Sequence, residues 1–243
     1  VTWIDIQNPT EEDIQFLQKT YGLHPFILDE LIPPAWRTKV ETFPDYLFFV
    51  YYYPVYNKTN KHTRPRELDI IVGKNLLITN HYNSLVPLKK LFDQCNLYEE
   101  SKTKYMNETS GHLLFYLLKE LHENSLVKLD RINKKLHHIE EQIFMGNERQ
   151  MLKEISYLKA DIINFWRIVN PQEEILESLQ SQTVSFFGQE LHPYFTRLLG
   201  EWDQERNDLE TYKETIESLE QTNNGLLADK TNEIVKTLTL FSV

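Results

Sequence analysis

His192 to Val243 reads HPYFTRLLGEWDQERNDLETYKETIESLEQTNNGLLADKTNEIVKTLTLFSV, and this stretch decides the fold. Leu198, Trp202, Leu209, Tyr212, Ile216 and Leu219 step by threes and fours, with Glu205 at the one missing apolar step. That spacing is the seam of a helix. Asn223, Leu226 and Lys230 keep the spacing but are mostly polar. An unbroken helix from Pro193 to the end would be about 75 Å long. So long a rod is expected to need partner helices, most simply copies of itself. Thr231-Asn232-Glu233 is followed by Ile234, Val235, Leu238, Leu240, Phe241 and Val243, and charges disappear after Lys236. A cation just before an apolar run is what the cytoplasmic flank of a membrane helix looks like. The chain is therefore expected to be a soluble fragment of something larger.

Upstream lie two more seams. Leu114, Leu118, Leu121, Ser125, Leu129, Ile132, Leu136, Ile139 and Ile143 form one, which Gly146-Asn147 breaks. Ile155, Leu158, Ile162, Phe165 and Val169 form the other, and Asn170-Pro171 kinks or restarts it before Ile175, Leu176 and Leu179. Together they predict an antiparallel helical hairpin.

The first hundred residues have a different texture. Val1–Ile6, Lys39–Phe43, Tyr46–Tyr53, Glu67–Val72 and Leu76–Asn80 read as strands, the last two joined by Gly73-Lys74-Asn75 in a hairpin. Asn57–Lys61 reads as a loop. Thr10 opens a helix with a capping-box pattern, and Gly22 is a good terminator. A short helix runs from Phe26 to about Leu31 before the Pro33-Pro34 stop, and another from Val86 to Phe92. The expected fold class is α+β: an N-terminal α/β domain with a mixed or antiparallel sheet (1–105), a helical hairpin (106–190) and one very long stalk helix (191–243).

Bulk properties narrow the function. Net charge is −10, which disfavours nucleic acid as a partner and suits cations. A single cysteine, Cys95, excludes an internal disulfide or a Cys-rich zinc site and fits a reducing compartment. No apolar run reaches the ~20 residues of a membrane span. There is no phosphate-cradling glycine loop and no G-x-S-x-G elbow, and His122-Glu123 fails the H-E-x-x-H pattern because Leu126 follows. No enzyme is expected, and no small-molecule substrate. Tyr51-Tyr52-Tyr53 reads as core on one face and surface on the other. His137, His138 and Glu141 have metal-ligand spacing but read as a solvated face.

Two acidic features suit a hard cation. Asp29-Glu30 ends a short helix, and Mg²⁺ takes one or two carboxylates while keeping waters. The long helix carries Glu201, Asp203, Glu205, Asp208, Glu210, Glu214, Glu217 and Glu220. Most are expected to be a solvated face. In a bundle of copies, divalent cations would relieve their mutual repulsion, which makes the bundle a metal sensor.

In order and in motif, the chain resembles the cytoplasmic domain of the CorA family of magnesium and other divalent-cation channels. The likeness rests on DELIPPAWRTKVETFPDY (29–46), LDIIVGKNLLITNH (68–81), IEEQIF (139–144), FWRIVNPQEEIL (165–176), HPYF (192–195) and, most specifically, DKTNEIVKTLT (229–239). The resemblance implies a homopentamer in the cell membrane, with this fragment on the cytoplasmic side and Mg²⁺, or Co²⁺ or Ni²⁺, as transported and regulatory ion. It implies an ion path lined by Asn232, which offers an amide ring to a hydrated cation. Val235 and Leu238 would form apolar constrictions that gate by excluding water. It also implies a regulatory site in which Asp29 and Glu30 meet an acidic residue of the neighbour's stalk. That stalk position is Arg197 here, so either Glu201 or Glu205 substitutes or this member is regulated differently. The alternatives are a ZntB-like zinc transporter, where His137 and His138 matter more, and a soluble coiled-coil adaptor.

Overall fold

Alternation in the first hundred residues produces a five-stranded sheet in the order β1-β5-β4-β3-β2. The computed structural model describes residues 1–32 and 39–241. The strands are β1 (Thr2–Gln7), β2 (Lys39–Thr42), β3 (Tyr46–Asn57), β4 (His62–Gly73) and β5 (Leu76–His81). β1 runs parallel to β5 (Ile4 opposite Ile78), and the other pairings are antiparallel, so the sheet is mixed.

β3 and β4 outrun their expected ends because Pro54 and Pro65 look like strand breakers. The two prolines instead face each other across the ribbon. β2 pairs only as far as Val50 and β5 only from Asp69, so both prolines stand where the outer edges are unpaired. A missing N–H directed at such an edge costs no ladder bond. The loop is confined to the turn between them, where Asn57 Oδ1 accepts from the amides of Thr59 and Asn60.

Helices α1 (Glu11–Tyr21) and α2 (Pro25–Glu30) cover one face of the sheet, where Leu17, Leu23, Ile27, Leu28 and Leu31 pack on Ile6, Phe48, Val50, Ile71 and Ile78. Thr10 and Asp13 form the expected capping box, and Gly22 ends α1 at φ 61°. The Pro33-Pro34 stop lies outside the described residues.

The other face carries Trp3, Leu47, Phe49, Tyr51, Tyr53, Leu68, Ile70, Val72 and Leu77 into a larger core with the remaining helices. α3 (Val86–Leu97) is five residues longer than expected, and α4 (Glu99–Met106) was not expected at all. α4 buries no side chain, so it has no apolar period to detect. α5 (Ser110–Phe144) and α6 (Glu148–Val169) form the expected hairpin. The helix restarts after Pro171 as α7 (Gln172–Phe187), and a single 3-10 turn at Gln189–Leu191 leads into α8 (His192–Phe241), 50 residues without a break.

α8 corrects the expectation that such a rod needs copies of itself along its length. Phe195, Leu198, Trp202, Leu209, Ile216 and Leu219 are buried within their own chain, against α5, α6 and α7. Each fully buried Leu or Ile contributes about 1.5–3 kcal/mol. The last buried position is Asn223; Leu226 still packs against the core and Lys230 reaches Glu148, and from Thr231 onward α8 is exposed.

Candidate metal and ion-path residues

The acidic pair at the end of α2 is half engaged. Asp29 is exposed, whereas Glu30 pairs with Lys39 at the start of β2. Glu201 on α8 is bound within its own helix turn by Arg197, Nε to Oε1 at 2.7 Å. The cation thus neutralises one of the two acids that could replace it.

Glu205 is sequestered. It is 2% exposed, and both its oxygens are taken: His122 Nδ1 lies 2.8 Å from Oε2, and Ser125 Oγ donates to Oε1 at 2.5 Å. The apparent gap in the α8 seam is therefore a polar link to α5. Ser125 is the matching polar step in the α5 seam, and that pairing of gaps was the available signal; His122, one turn earlier, was missed. The buried carboxylate also helps to push the Tyr51 and Tyr53 hydroxyls above their ordinary range, behind burial itself.

Asp29 and Glu30 stand on the α1–α2 side of the sheet, and α8 belongs to the bundle on the opposite side. The sheet separates them within one chain, so a site that joins them needs a second chain. Among the described residues, no group of three or more His, Cys, Asp or Glu could hold a metal ion together. His137 and His138 are exposed on α5, and His137 Nδ1 lies 3.7 Å from Glu140.

At the far end of α8, Asn232, Val235 and Leu238 are exposed. They advance by three residues each, so they share one stripe of the helix. Lys230, just before them, is bonded to Glu148 at the start of α6, Nζ to Oε2 at 2.7 Å. That contact ties the projecting segment to the body. Among the described residues, no helix is long and apolar enough to cross a membrane.

One buried acid was not anticipated. Asp69 on β4 is 1% exposed, and burial, reinforced by Glu67, pushes its pKa up to about 8; the Asn80 bond and Lys39 oppose the rise. Asn80 Nδ2 donates to Asp69 Oδ2 at 2.8 Å, which leaves Asp69 Oδ1 and Asn80 Oδ1 buried without partners among the described residues.

A mixed sheet backed by a helical bundle, from which one continuous helix projects, is an α+β domain built on a stalk. The CorA-like Mg²⁺ transporter protein family model matches residues 1–243, and the chain belongs to that family. It is similar to the cobalt/magnesium transport protein CorA of Thermotoga maritima, at 24% identity over 247 residues, which take in 99% of this chain and 68% of that protein. Its fold resembles the complete structure of the CorA magnesium transporter from Methanocaldococcus jannaschii, with a TM-score of 0.83 and 23% identity over 99% of this chain and 74% of that one. The soluble domain of the same transporter gives 0.80 at 20% identity, covering 92% and 88%. The family is one of divalent-cation transporters, not of enzymes.

Proposed function

We propose that this chain is the metal-sensing and gating part of a CorA-type channel for Mg²⁺ and related divalent cations. The observation that carries the reading is the continuity of α8. One unbroken helix starts in the packed body, is fastened along its length through Trp202, Glu205 and Lys230, and ends in the exposed Asn232, Val235 and Leu238 stripe. A change at the body is thus transmitted as movement of a rigid rod. In a homopentamer in the membrane, five such stripes would surround the axis and line the ion path.

The regulatory ion would sit between chains. Asp29 of one chain supplies an exposed carboxylate with no partner among the described residues, and Glu30 supplies a second when Lys39 yields it. Mg²⁺ bound largely through its waters accepts so sparse a donor set. The opposing ligand would come from the neighbour's α8, where Glu201 competes with Arg197 for the metal. Glu205 is poorly suited, because its two oxygens already hold α5 to α8.

Sedimentation and crystallography with and without Mg²⁺ test this. The expected result is self-association, and a cation near Asp29 at a chain boundary. A strict monomer with no bound cation in Mg²⁺ would overturn the sensor role. For the ion path, uptake assays on the whole transporter would show loss of Mg²⁺ flux in Asn232→Ala and leak in Leu238→Asn; unchanged flux in both would remove these residues from the path.

A further inference from the structure

We propose that a cleft between α5, α6 and the far end of the β3–β4 ribbon binds a polyphosphate anion of nucleotide size, such as a nucleoside triphosphate.

Charge is the first argument. The chain has 36 Asp and Glu against 26 Lys and Arg, so an average patch of its surface is acidic. This cleft reverses the balance: Lys58, Lys128, Arg131, Lys134 and Lys135 line it, with Asp161 as its one acid. Asp161 is buried, and its Oδ1 accepts the backbone N–H of Thr63. It acts on Lys135 only from beyond ion-pair distance: among the described residues, only Lys134 of the cleft's cations forms an ion pair, with Asp130 one turn away. Like charges held this close repel one another, and a multivalent anion would relieve that repulsion.

Placement is the second argument. Lys128, Arg131 and Lys135 fall at i, i+3 and i+7 on α5, so they share one face. Two are held by aromatic side chains of β3. Lys128 Nζ sits 3.9 Å from the Tyr53 ring centroid and donates to the Pro54 carbonyl. Lys135 Nζ lies 5.0 Å from the centroid of Tyr56 and 3.5 Å from its hydroxyl. The ring contacts hold the charges in fixed positions, which lowers the entropy cost of binding. Arg131 keeps its planar fork for bidentate contact with a phosphate.

Size is the third argument. The cleft has a volume of about 370 Å³. That lies in the range of small-molecule sites, roughly 300–1,000 Å³, and is more than one phosphate fills. A half-open cleft of this size favours a compact ligand over an extended acidic peptide. The site lies apart from Asp29, Glu30 and the Asn232 stripe, so it does not depend on the transport reading.

Isothermal titration of the 243-residue chain with ATP, in EDTA and at low salt, tests the inference. Pyrophosphate and inorganic phosphate serve as comparison probes. The expected result is saturable binding of one ATP per chain, weakened at high salt. Affinity should fall at least about tenfold in Arg131→Glu/Lys135→Glu and in the milder Arg131→Gln/Lys135→Gln. The charge-matched control Lys19→Glu/Lys74→Glu should bind as the parent does. Absence of saturable ATP binding would overturn the proposal, and so would equal affinity in the cleft variants. Pyrophosphate or phosphate binding as tightly as ATP would overturn the assignment of size. If the reversal variant instead changes the sedimentation of the chain while ATP has no effect, the cleft serves an acidic segment of a second copy and the proposal fails.

Discussion

Glu205 of α8 and His122 of α5 are joined at 2.8 Å in the core, 2% and 6% exposed. Ser125 closes the second carboxylate oxygen. A buried pair of this kind holds register more than it adds stability. Removing one partner is the costly change, because it strands the other. His122→Ala is expected to destabilise the chain by about 3–5 kcal/mol, whereas the double change His122→Leu/Glu205→Leu should come close to the parent. Urea melts of the single and double variants measure the coupling; additive losses would show that the two residues act independently.

Asp69 sets a pH dependence of opposite sign to that of an ordinary paired carboxylate. Burial raises its folded pKa to about 8, well above the ~3.9 of an unfolded chain. The folded state therefore holds more protons between these values, and stability from this group falls as pH rises from about 4 to about 8. Asp69→Asn keeps the shape and removes the titration. Its advantage over the parent should grow across that window to a few kcal/mol and then level off. Chemical denaturation of both chains at several pH values checks this; a difference that stays constant with pH would place the proton elsewhere.

The architecture was legible where a period repeats for long enough. The seams of α5, α6 and α8 and the strand alternation around Tyr51 and Ile70 each had several turns or pairs to report themselves. α4 had none, since all its side chains keep contact with solvent. The far ends of β3 and β4 were not legible, because the cost of Pro54 and Pro65 depends on which edge each faces, and that is decided by β2 and β5, remote in sequence. The same limit applies to the sites. Glu205 reads as one of eight acids on a solvated helix until α5 brings His122 to it. Lys128, Arg131 and Lys135 carry no signal in the sequence, because only the fold brings β3 and its tyrosines to them. The common stripe of Asn232, Val235 and Leu238 follows from their spacing within one short motif, and their place in an ion path is a proposal.

Asn223 is fully buried on α8, and among the described residues neither its amide nitrogen nor its oxygen has a partner. An unmet buried polar group costs about 1–3 kcal/mol. Asn223→Leu, with the same branching and number of side-chain heavy atoms, is expected to stabilise the chain by up to an amount in that range, and Asn223→Ala to gain less because it leaves a void. Thermal melts rank the three. A less stable Asn223→Leu chain would mean that the amide is bonded in solution, for instance by an ordered water.

Arg197 bears on regulation itself. It holds Glu201 at 2.7 Å on the exposed side of α8. An exposed pair of this kind contributes little to stability, so its loss leaves the fold intact and isolates the electrostatic effect. Arg197→Asp removes a cation, adds a carboxylate and frees Glu201, a change of two charge units near the proposed boundary with Asp29 of the next chain. The Mg²⁺ concentration at half effect, read from self-association or from the thermal shift, should fall at least about tenfold, because direct electrostatic stabilisation of ~1.4 kcal/mol suffices for that factor. Arg197→Ala should give a smaller shift in the same direction, since it frees Glu201 without adding a ligand. Asp29→Asn placed on top of Arg197→Asp should erase the gain. A midpoint that ignores all three changes would move the regulatory ion away from α8.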